Sequence, residues 1–517
     1  MKIYHRIAYK NIYSFLILII YLGTSYPFQI NLKSQDLTND LKLDEIVASV
    51  GPINITTEEF SNSYEFGPAF VKRKSDSKIR HLNYMINEKL LALDGYSGNI
   101  DGNDEVASII KDFENDLATE EMFKENILKN VEVSQEEIDT VITQKQLELD
   151  ILWLYAQNKD EKDNLILDLN NGVSFDSLYQ LQFEDSIYLD DRSMEINRFQ
   201  LGKKNPEFAE IIDTLPIGQV SDPIKANDGW YIFKQINAWQ NIITTETEMT
   251  RLKQESINWL KKKKMDKLSD DYVHKFLSDQ NPIIKRQGFD ILRSYLGIYN
   301  LTKEKYDEWN LSESLNKALE ELQVTKDNIE RVLLIRMKHG LINLEEFLNW
   351  YKNRSQYIKF NKTNLQSFSN SVESLVWRMV RDKLLSEEAF KRNFHQKEAV
   401  KKQSKWWKDK IVYSAVKKEI VESVELKEEE VSYNSLESLD VKSNEEKINT
   451  EITRRLLLKL NELKREYEIN IDKDVLAKIN VSEENNPEAI DFYVVKKGGL
   501  IPRTPYPTID FEWINWE

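Results

Sequence analysis

Leu147-Glu148-Leu149-Asp150-Ile151-Leu152-Trp153-Leu154 opens the stretch whose reading decides how this chain is built. Apolar residues alternate through Trp153, the period of a half-buried strand. The next residues predict a helix from about Asn158 to Asn170, with Gly172 past its end as a C′ glycine. Phe175, Leu178 and Leu181 space a second short helical face. Pro206 opens a third helix, Pro206 to Leu215, because its missing N–H and fixed φ suit a first turn; Pro216 and Gly218 close it. A hairpin comes last: Val220 to Ile224, a turn at Asn227-Asp228-Gly229, then Trp230 to Ile236. The order is strand–helix–helix–(strand)–helix–strand–strand, a small α/β domain over residues 147–241.

That order, with Leu215-Pro216-Ile217-Gly218-Gln219-Val220-Ser221-Asp222-Pro223-Ile224 and then Asp228-Gly229-Trp230-Tyr231-Ile232-Phe233, resembles the parvulin family of peptidyl-prolyl isomerases. The resemblance implies an apolar pocket for a proline ring beside a polar cluster with two histidines. Such a site desolvates and twists an X–Pro bond whose barrier is about 18–20 kcal/mol. Here the positions of the two family histidines read Asp150, before Ile151-Leu152, and Tyr231, after Gly229-Trp230. The family's acidic or cysteine position falls near Glu184-Asp185-Ser186, with Asp185 as a retained acid. Phe208 matches a pocket phenylalanine, and the usual methionine four residues earlier is Lys204. The chain's five histidines, His5, His81, His274, His339 and His395, all lie elsewhere. Two readings remain open. Either the domain is a degenerate, peptide-binding parvulin using Leu152, Lys204, Phe208 and Trp230, or Asp150, Asp185 and Tyr231 run a weakened version of the reaction.

The remaining sequence narrows the setting. With 71 basic against 87 acidic residues the net charge is −16, which argues against nucleic acid as a partner. Lys261-Lys262-Lys263-Lys264 reads as a solvated helix face. Lys2, Arg6 and Lys10, an apolar run from Ile12 to Leu22 and Gly23-Thr24-Ser25 have the form of a secretory signal peptide. A membrane contact is expected only through that segment, if it is left uncleaved. There is no cysteine, so disulfides, thiol catalysis and an N-terminal lipid-anchored cysteine are excluded. H-E-x-x-H, C-x-x-C, G-x-S-x-G and phosphate-binding glycine loops are all missing, and neither a metal nor a small-molecule cofactor is expected.

Upstream, Val47 to Phe60 reads as a strand and turn entering a helix capped by Thr56 or Thr57. Met85 to Leu91 comes next, then a long helix from Asp104 to Asn130, then Val131 to Ile138 with a Ser134/Glu137 capping box. This arrangement resembles the N-terminal region of SurA-, PrsA- and PpiD-type exported chaperones. The same elements return: Ile342 to Phe347 echoes Ile55 to Phe60, Met379 to Leu385 echoes Met85 to Leu91, and Asn393 and Val400 keep step with Asn99 and Val106. Val424 to Val431 echoes Val131 to Ile138, but too few residues remain for a second isomerase domain before a helix over Ile452 to Glu468. Pro282, Gly288 and Gly297 read as breaks in the helical connector, and Gly340 as a C-cap. The tail reads as a strand (Phe492 to Val495), a turn and an extended piece through Pro502, Pro505 and Pro507, with Phe511, Trp513 and Trp516 expected to dock on the helical body. Of the helix tryptophans, the adjacent pair Trp406 and Trp407 is the expected exposed, peptide-binding one, because neighbours on a helix point about a hundred degrees apart.

The fold class expected is α+β, a mostly helical chaperone body with one inserted parvulin-like α/β domain. Its expected parts are 1–25 signal peptide, 44–146 helical unit, 147–241 parvulin-like domain, 242–340 helical connector, 341–480 second helical unit and 481–517 extended tail. The function this implies is an exported, periplasmic folding chaperone for unfolded or nascent envelope proteins. Its alternatives are an active peptidyl-prolyl isomerase and a structural subunit of an envelope assembly.

Overall fold

The structure, a computed structural model, describes residues 42–72, 75–184, 192–242, 245–355, 358–432, 441–481, 492–502 and 504–516; the expected signal peptide lies outside them. The fold is mostly helical with small sheets. Among the described residues, no helix is long and apolar enough to cross a membrane. Two compact units result: residues 42–130 with 265–516, and Val131–Lys264.

The chain begins with β1 (Ile46–Val50) and β2 (Ile53–Thr56), then α1 (Thr57–Glu65), α2 (Ala69–Lys72), α3 (Ser77–Ser97) and α4 (Asp104–Asn126). The small unit comes next: α5 (Gln135–Gln146), β3 (Leu147–Ala156), α6 (Lys159–Asn170), α7 (Phe175–Glu184), β4 (Ser193–Asn197), α8 (Arg198–Lys204), α9 (Pro206–Thr214), β5 (Ile224–Lys225) and β6 (Trp230–Gln240). The capping box at Ser134 and Glu137, the Asn158 cap of α6 and Pro206 in the first turn of α9 start their helices as the sequence indicates. Helix α10 (Glu246–Gln280) leads back to the helical unit. After it stand β7 (Ile283–Ile284), α11 (Arg286–Asn300), α12 (Lys303–Glu308), α13 (Leu311–Leu322), β8 (Leu333–Met337), β9 (Gly340–Asn343), α14 (Leu344–Lys352), α15 (Leu365–Lys391), α16 (Glu398–Ser432), α17 (Val441–Glu466), β10 (Ile469–Ile471), α18 (Lys473–Lys478), β11 (Phe492–Val495) and β12 (Gly499–Pro502).

One motif builds the helical unit twice. Hairpin β1–β2 has a bulge between Ile46 and Ala48, Thr56 caps α1, and Asn99 in a left-handed conformation (φ 55°) turns the chain from α3 towards α4. Hairpin β8–β9 has its bulge between Leu333 and Ile335, Asn343 caps α14, and Asn393 (φ 61°) makes the turn from α15 towards α16. The copies interlock: α16 packs on α3 and α4, and α4 on α15. Each hairpin takes its third strand from the end of the other copy, with Ile471 of β10 opposite Ala48 and Ile284 of β7 opposite Ile335. Even single backbone bonds recur. Gly51 N–H donates to Glu468 O (2.9 Å) as Lys338 N–H does to Gln280 O (2.7 Å), and Asp472 N–H to Val47 O (2.9 Å) as Lys285 N–H does to Leu334 O (2.8 Å). Phe113 and Trp407, equivalent positions, meet at 4.3 Å where α4 and α16 cross, marking a pseudo-two-fold axis.

Several local readings change. Val424 to Val431 lies inside the unbroken α16, whereas Val131 precedes the Ser134 cap of a new helix; Leu426-Lys427-Glu428-Glu429-Glu430 are good helix formers with no capping residue among them. Gly340 (φ 126°) opens β9 just after the hairpin turn, opposite Met337, instead of ending a helix. Gly288 and Gly297 lie within α11, where they allow close packing: a Cβ on Gly288 would fall 2.3 Å from Leu333 O. Trp406 and Trp407 are both buried, at 6 % and 4 % exposure, because α16 is enclosed on more than one side.

The tail docks on the helical unit. Trp513 is buried between the stacked rings of Tyr84 (5.6 Å) and Tyr413 (6.4 Å), and its indole N–H donates to Glu88 Oε1 (2.9 Å). Asp510 receives Lys410 (2.9 Å), Lys417 (2.9 Å) and the Tyr413 hydroxyl (2.6 Å). Burial works against the charge on Asp510, but the two lysines outweigh it and hold the carboxyl below its usual range.

Candidate functional site

Unit Val131–Lys264 is built on a four-stranded antiparallel sheet of order β4-β3-β6-β5. Because side chains alternate along β3 and β6, the sheet has two apolar faces. On one, Leu149, Ile151, Ile196 and Phe233 pack with Leu201, Ala209 and Ile212 of α8 and α9. On the other, Leu154 and Ile232 pack with Phe175 and Leu178, and Leu152 joins this cluster. The Arg198 guanidinium grips the Asp213 carboxylate with two nitrogens, tying α8 to α9. Ile138 and Val141 of α5 pack with Leu260, and with half-buried Ile257 and Trp259, in the first part of α10, so this unit is larger than residues 147–241.

The face bearing Phe208 carries a half-exposed aromatic patch. Phe208 lies 5.1 Å from Tyr231 and 4.8 Å from Phe233; Tyr231 stacks on Phe233 (6.0 Å) and meets Tyr155 edge-on (5.3 Å), and Trp153 lies 6.5 Å from Phe233. The turn before β6 fixes the phenols. Tyr231 donates to Asp228 Oδ2 (2.8 Å) and Tyr155 to the Asp228 carbonyl (2.5 Å). The Arg192 guanidinium lies over the Tyr155 ring at 5.9 Å and donates to the Gln182 amide oxygen. Partial burial, then the Asp228 carboxylate, push the Tyr231 hydroxyl well above its usual range, so it stays protonated at neutral pH. Such a surface can hold an apolar ring and an extended backbone, and its phenol oxygens, their O–H groups already given to Asp228, can each accept a hydrogen bond.

The residues singled out from sequence divide. Tyr231 and Phe208 come together. Asp150 does not join them: it pairs with Asn237 beside a bulge, roughly 20 Å along β6 from Tyr231 by the rise of a strand. The antiparallel register places the start of β6 against the end of β3, so Tyr231 lies opposite Tyr155 and Phe233 opposite Trp153. Leu152 points to the opposite face. Trp230 stands between the Lys162 (5.0 Å) and Lys225 (5.9 Å) amines, away from Phe208. Lys204 is exposed in the last turn of α8, and Asp185 lies outside the described residues. Trp153, Tyr155 and Asp228 were missed; counting back from the Asn227-Asp228-Gly229 turn along two paired strands finds the first two. Trp406 and Trp407 belong to the helical unit, where they meet the tail at Tyr506 and Pro505.

No family model matches the chain. Its sequence is similar to the foldase protein PrsA of Oceanobacillus iheyensis, 22 % identical over 205 residues, which is 37 % of this chain and 67 % of that protein. It is also similar to foldase protein PrsA 2 of Bacillus cereus, 27 % identical over 124 residues, and of Bacillus anthracis, 25 % identical over 137 residues. These matches cover 23 % and 25 % of this chain, and 43 % and 47 % of the two Bacillus proteins, so the chain spans about half of their length. Among solved structures it is similar to the peptidylprolyl isomerase PrsA of Bacillus cereus (14 % identity, 55 % of this chain, 100 % of that one, TM-score 0.21). It is likewise similar to the foldase protein PrsA of Streptococcus pneumoniae (15 % identity, 43 % and 90 %, TM-score 0.21).

Proposed function

We propose that this protein is an exported, PrsA-like folding chaperone that holds unfolded or nascent envelope polypeptides in the periplasm. Its sheet unit acts as a parvulin-type peptide-binding scaffold, and its two interlocked helical copies, within residues 44–146 and 341–480, form the body. One observation carries the reading: the face that holds Phe208 is aromatic and carries phenols in place of imidazoles, with Tyr231 hydrogen-bonded to Asp228. Holding an extended chain needs broad apolar contact and a few backbone hydrogen bonds, and the patch of Trp153, Tyr155, Phe208 and Tyr231 supplies both. The similarity to PrsA foldases in sequence supports the same reading.

An X–Pro isomerisation assay on the full chain without its signal segment tests it. The expected rate is close to the uncatalysed one, together with suppression of client aggregation by the same preparation. Turnover well above background that collapses on Tyr231→Phe would replace the scaffold with an active isomerase. Recovery of the protein from cells in one stable stoichiometric complex, without aggregation suppression, would replace it with a structural subunit.

A further inference from the structure

Duplication gives the helical unit the same notch twice, and the two are filled differently. Each lies where the short helix after a hairpin ends against the long crossing helix of the other copy. In one, the α14 C-cap Asn353 donates to Asp112 Oδ2 (2.5 Å) and Ser108 Oγ (3.1 Å), and Arg354 pairs with Asp112 (2.9 Å) and Asp116 (3.6 Å). Polar groups close that notch. In the other, the equivalents of Asn353 and Asp112 are Phe66, the C-cap of α1, and Trp406. Tyr506 of the tail sits between them, 5.6 Å from the Phe66 ring and 6.3 Å from Trp406.

The peptide in this second notch is also bound by two backbone groups and one hydroxyl. The Thr504 N–H donates to Glu120 Oε2 (2.6 Å), the Trp407 indole N–H donates to the Pro505 carbonyl (2.9 Å), and the Thr508 hydroxyl donates to Ser63 O (2.9 Å). An indole N–H in an aromatic wall, donating to the carbonyl of a proline in an extended segment, is the chemistry by which grooves read proline-rich chains. Thr504–Thr508 has no regular secondary structure and every residue in it is half-buried. The segments on either side are fixed independently, by the β11–β12 pairing and by the buried Asp510 and Trp513. The strap can therefore lift without opening the core.

We infer that this notch is a binding site for extended, proline-containing polypeptide, occupied at rest by the chain's own Thr504–Thr508. A client segment of the same chemistry enters when the strap lifts. The identification of the ligand as client rests on the chaperone reading above; the site itself does not. A tethered strap competes at an effective concentration on the order of millimolar, so a free peptide binds the intact chain weakly.

The test uses a fluorescent peptide copying residues 501–509 and the full chain without its signal segment. Replacing Pro505, Tyr506 and Pro507 by alanine removes the competitor and is expected to tighten peptide binding at least tenfold. Adding Trp407→Phe, which keeps the ring but deletes the donor, is expected to reverse most of that gain. Equal peptide affinity for the intact and triple-alanine chains, with circular dichroism and melting temperature unchanged, overturns the proposal. If the triple variant fails to fold, amide exchange on the unaltered chain decides: millimolar peptide must speed exchange at the Thr504 amide, and no acceleration overturns the site. A chain that suppresses aggregation yet fails both readouts loses this site alone. One that binds peptide but protects no client loses the chaperone function alone.

Discussion

Tyr231 shows how one side chain sets what the sheet unit can do. Its hydroxyl is committed to Asp228 and stays protonated, so its contribution is a ring face and one hydrogen bond. Tyr231→Phe is accordingly expected to leave peptide holding within about twofold, read by peptide binding, whereas Phe208→Ser, which removes the ring at the patch centre, weakens it several-fold. His81 has an acid-linked role. It is fully buried, Nε2 lies 3.0 Å from Ser63 Oγ, and Phe60 and Tyr64 pack on its ring. Burial first, then Lys72 and Lys410, lower it from 6.5 to about 3. The unfolded chain binds the proton more readily, so this contribution is complete above pH 6.5 and is lost as pH falls towards 3, at about 1.4 kcal/mol per unit. Buried Glu59 and Glu88 have raised values and act in the opposite sense, so the checking measurement is a difference. Denaturant unfolding of His81→Gln against the parent from pH 7 to 4 is expected to show the variant losing less stability on acidification.

At the scale of elements, the sequence was most readable where a local rule needs no distant partner. Ser134 with Glu137, Asn158, Pro206 and the turn after Val495 announced the ends they make. The repeat was readable too, because Asn99 and Asn393 keep the same place in the same turn. The readings that failed needed a partner. Gly288 looks like a breaker until Leu333 is known to lie against it, and Asp150 looks like a site residue until the register of β6 is known. Trp406 and Trp407 look exposed on one helix and are buried once the second copy and the tail enclose it. Helix α8 was missed because its seven residues are too few for periodicity to declare; only Asn197, whose side chain accepts the Gln200 N–H, marks its start. Gly288→Ala tests the close approach of α11 to β8. The added methyl meets backbone, which cannot swing away, so a loss of roughly 1–3 kcal/mol is expected from urea unfolding; no loss would show that α11 can shift.

For the whole molecule, interlocking explains why a chain of this length closes on itself. β10 completes the first hairpin and β7 the second, so neither copy has its full sheet without the other. The tail adds the last fastening. Trp513→Ala removes a fully buried ring and leaves Glu88 without its indole donor, with an expected cost of about 3–5 kcal/mol in denaturant unfolding. Asp510→Asn removes the carboxylate that Lys410 and Lys417 share, leaving one with Glu88 and the other with Glu512, and because the group is buried it is expected to destabilise further than the loss of a surface pair would. These fastenings hold the tail against the helical unit. The central claim is that the protein protects polypeptides by holding them, without isomerase chemistry. The most direct measurement is the soluble yield of an aggregation-prone, proline-containing client refolded with stoichiometric protein, parent and Tyr231→Phe side by side. Both are predicted to raise the yield equally; no protection by the parent, or protection abolished by Tyr231→Phe, would contradict the account.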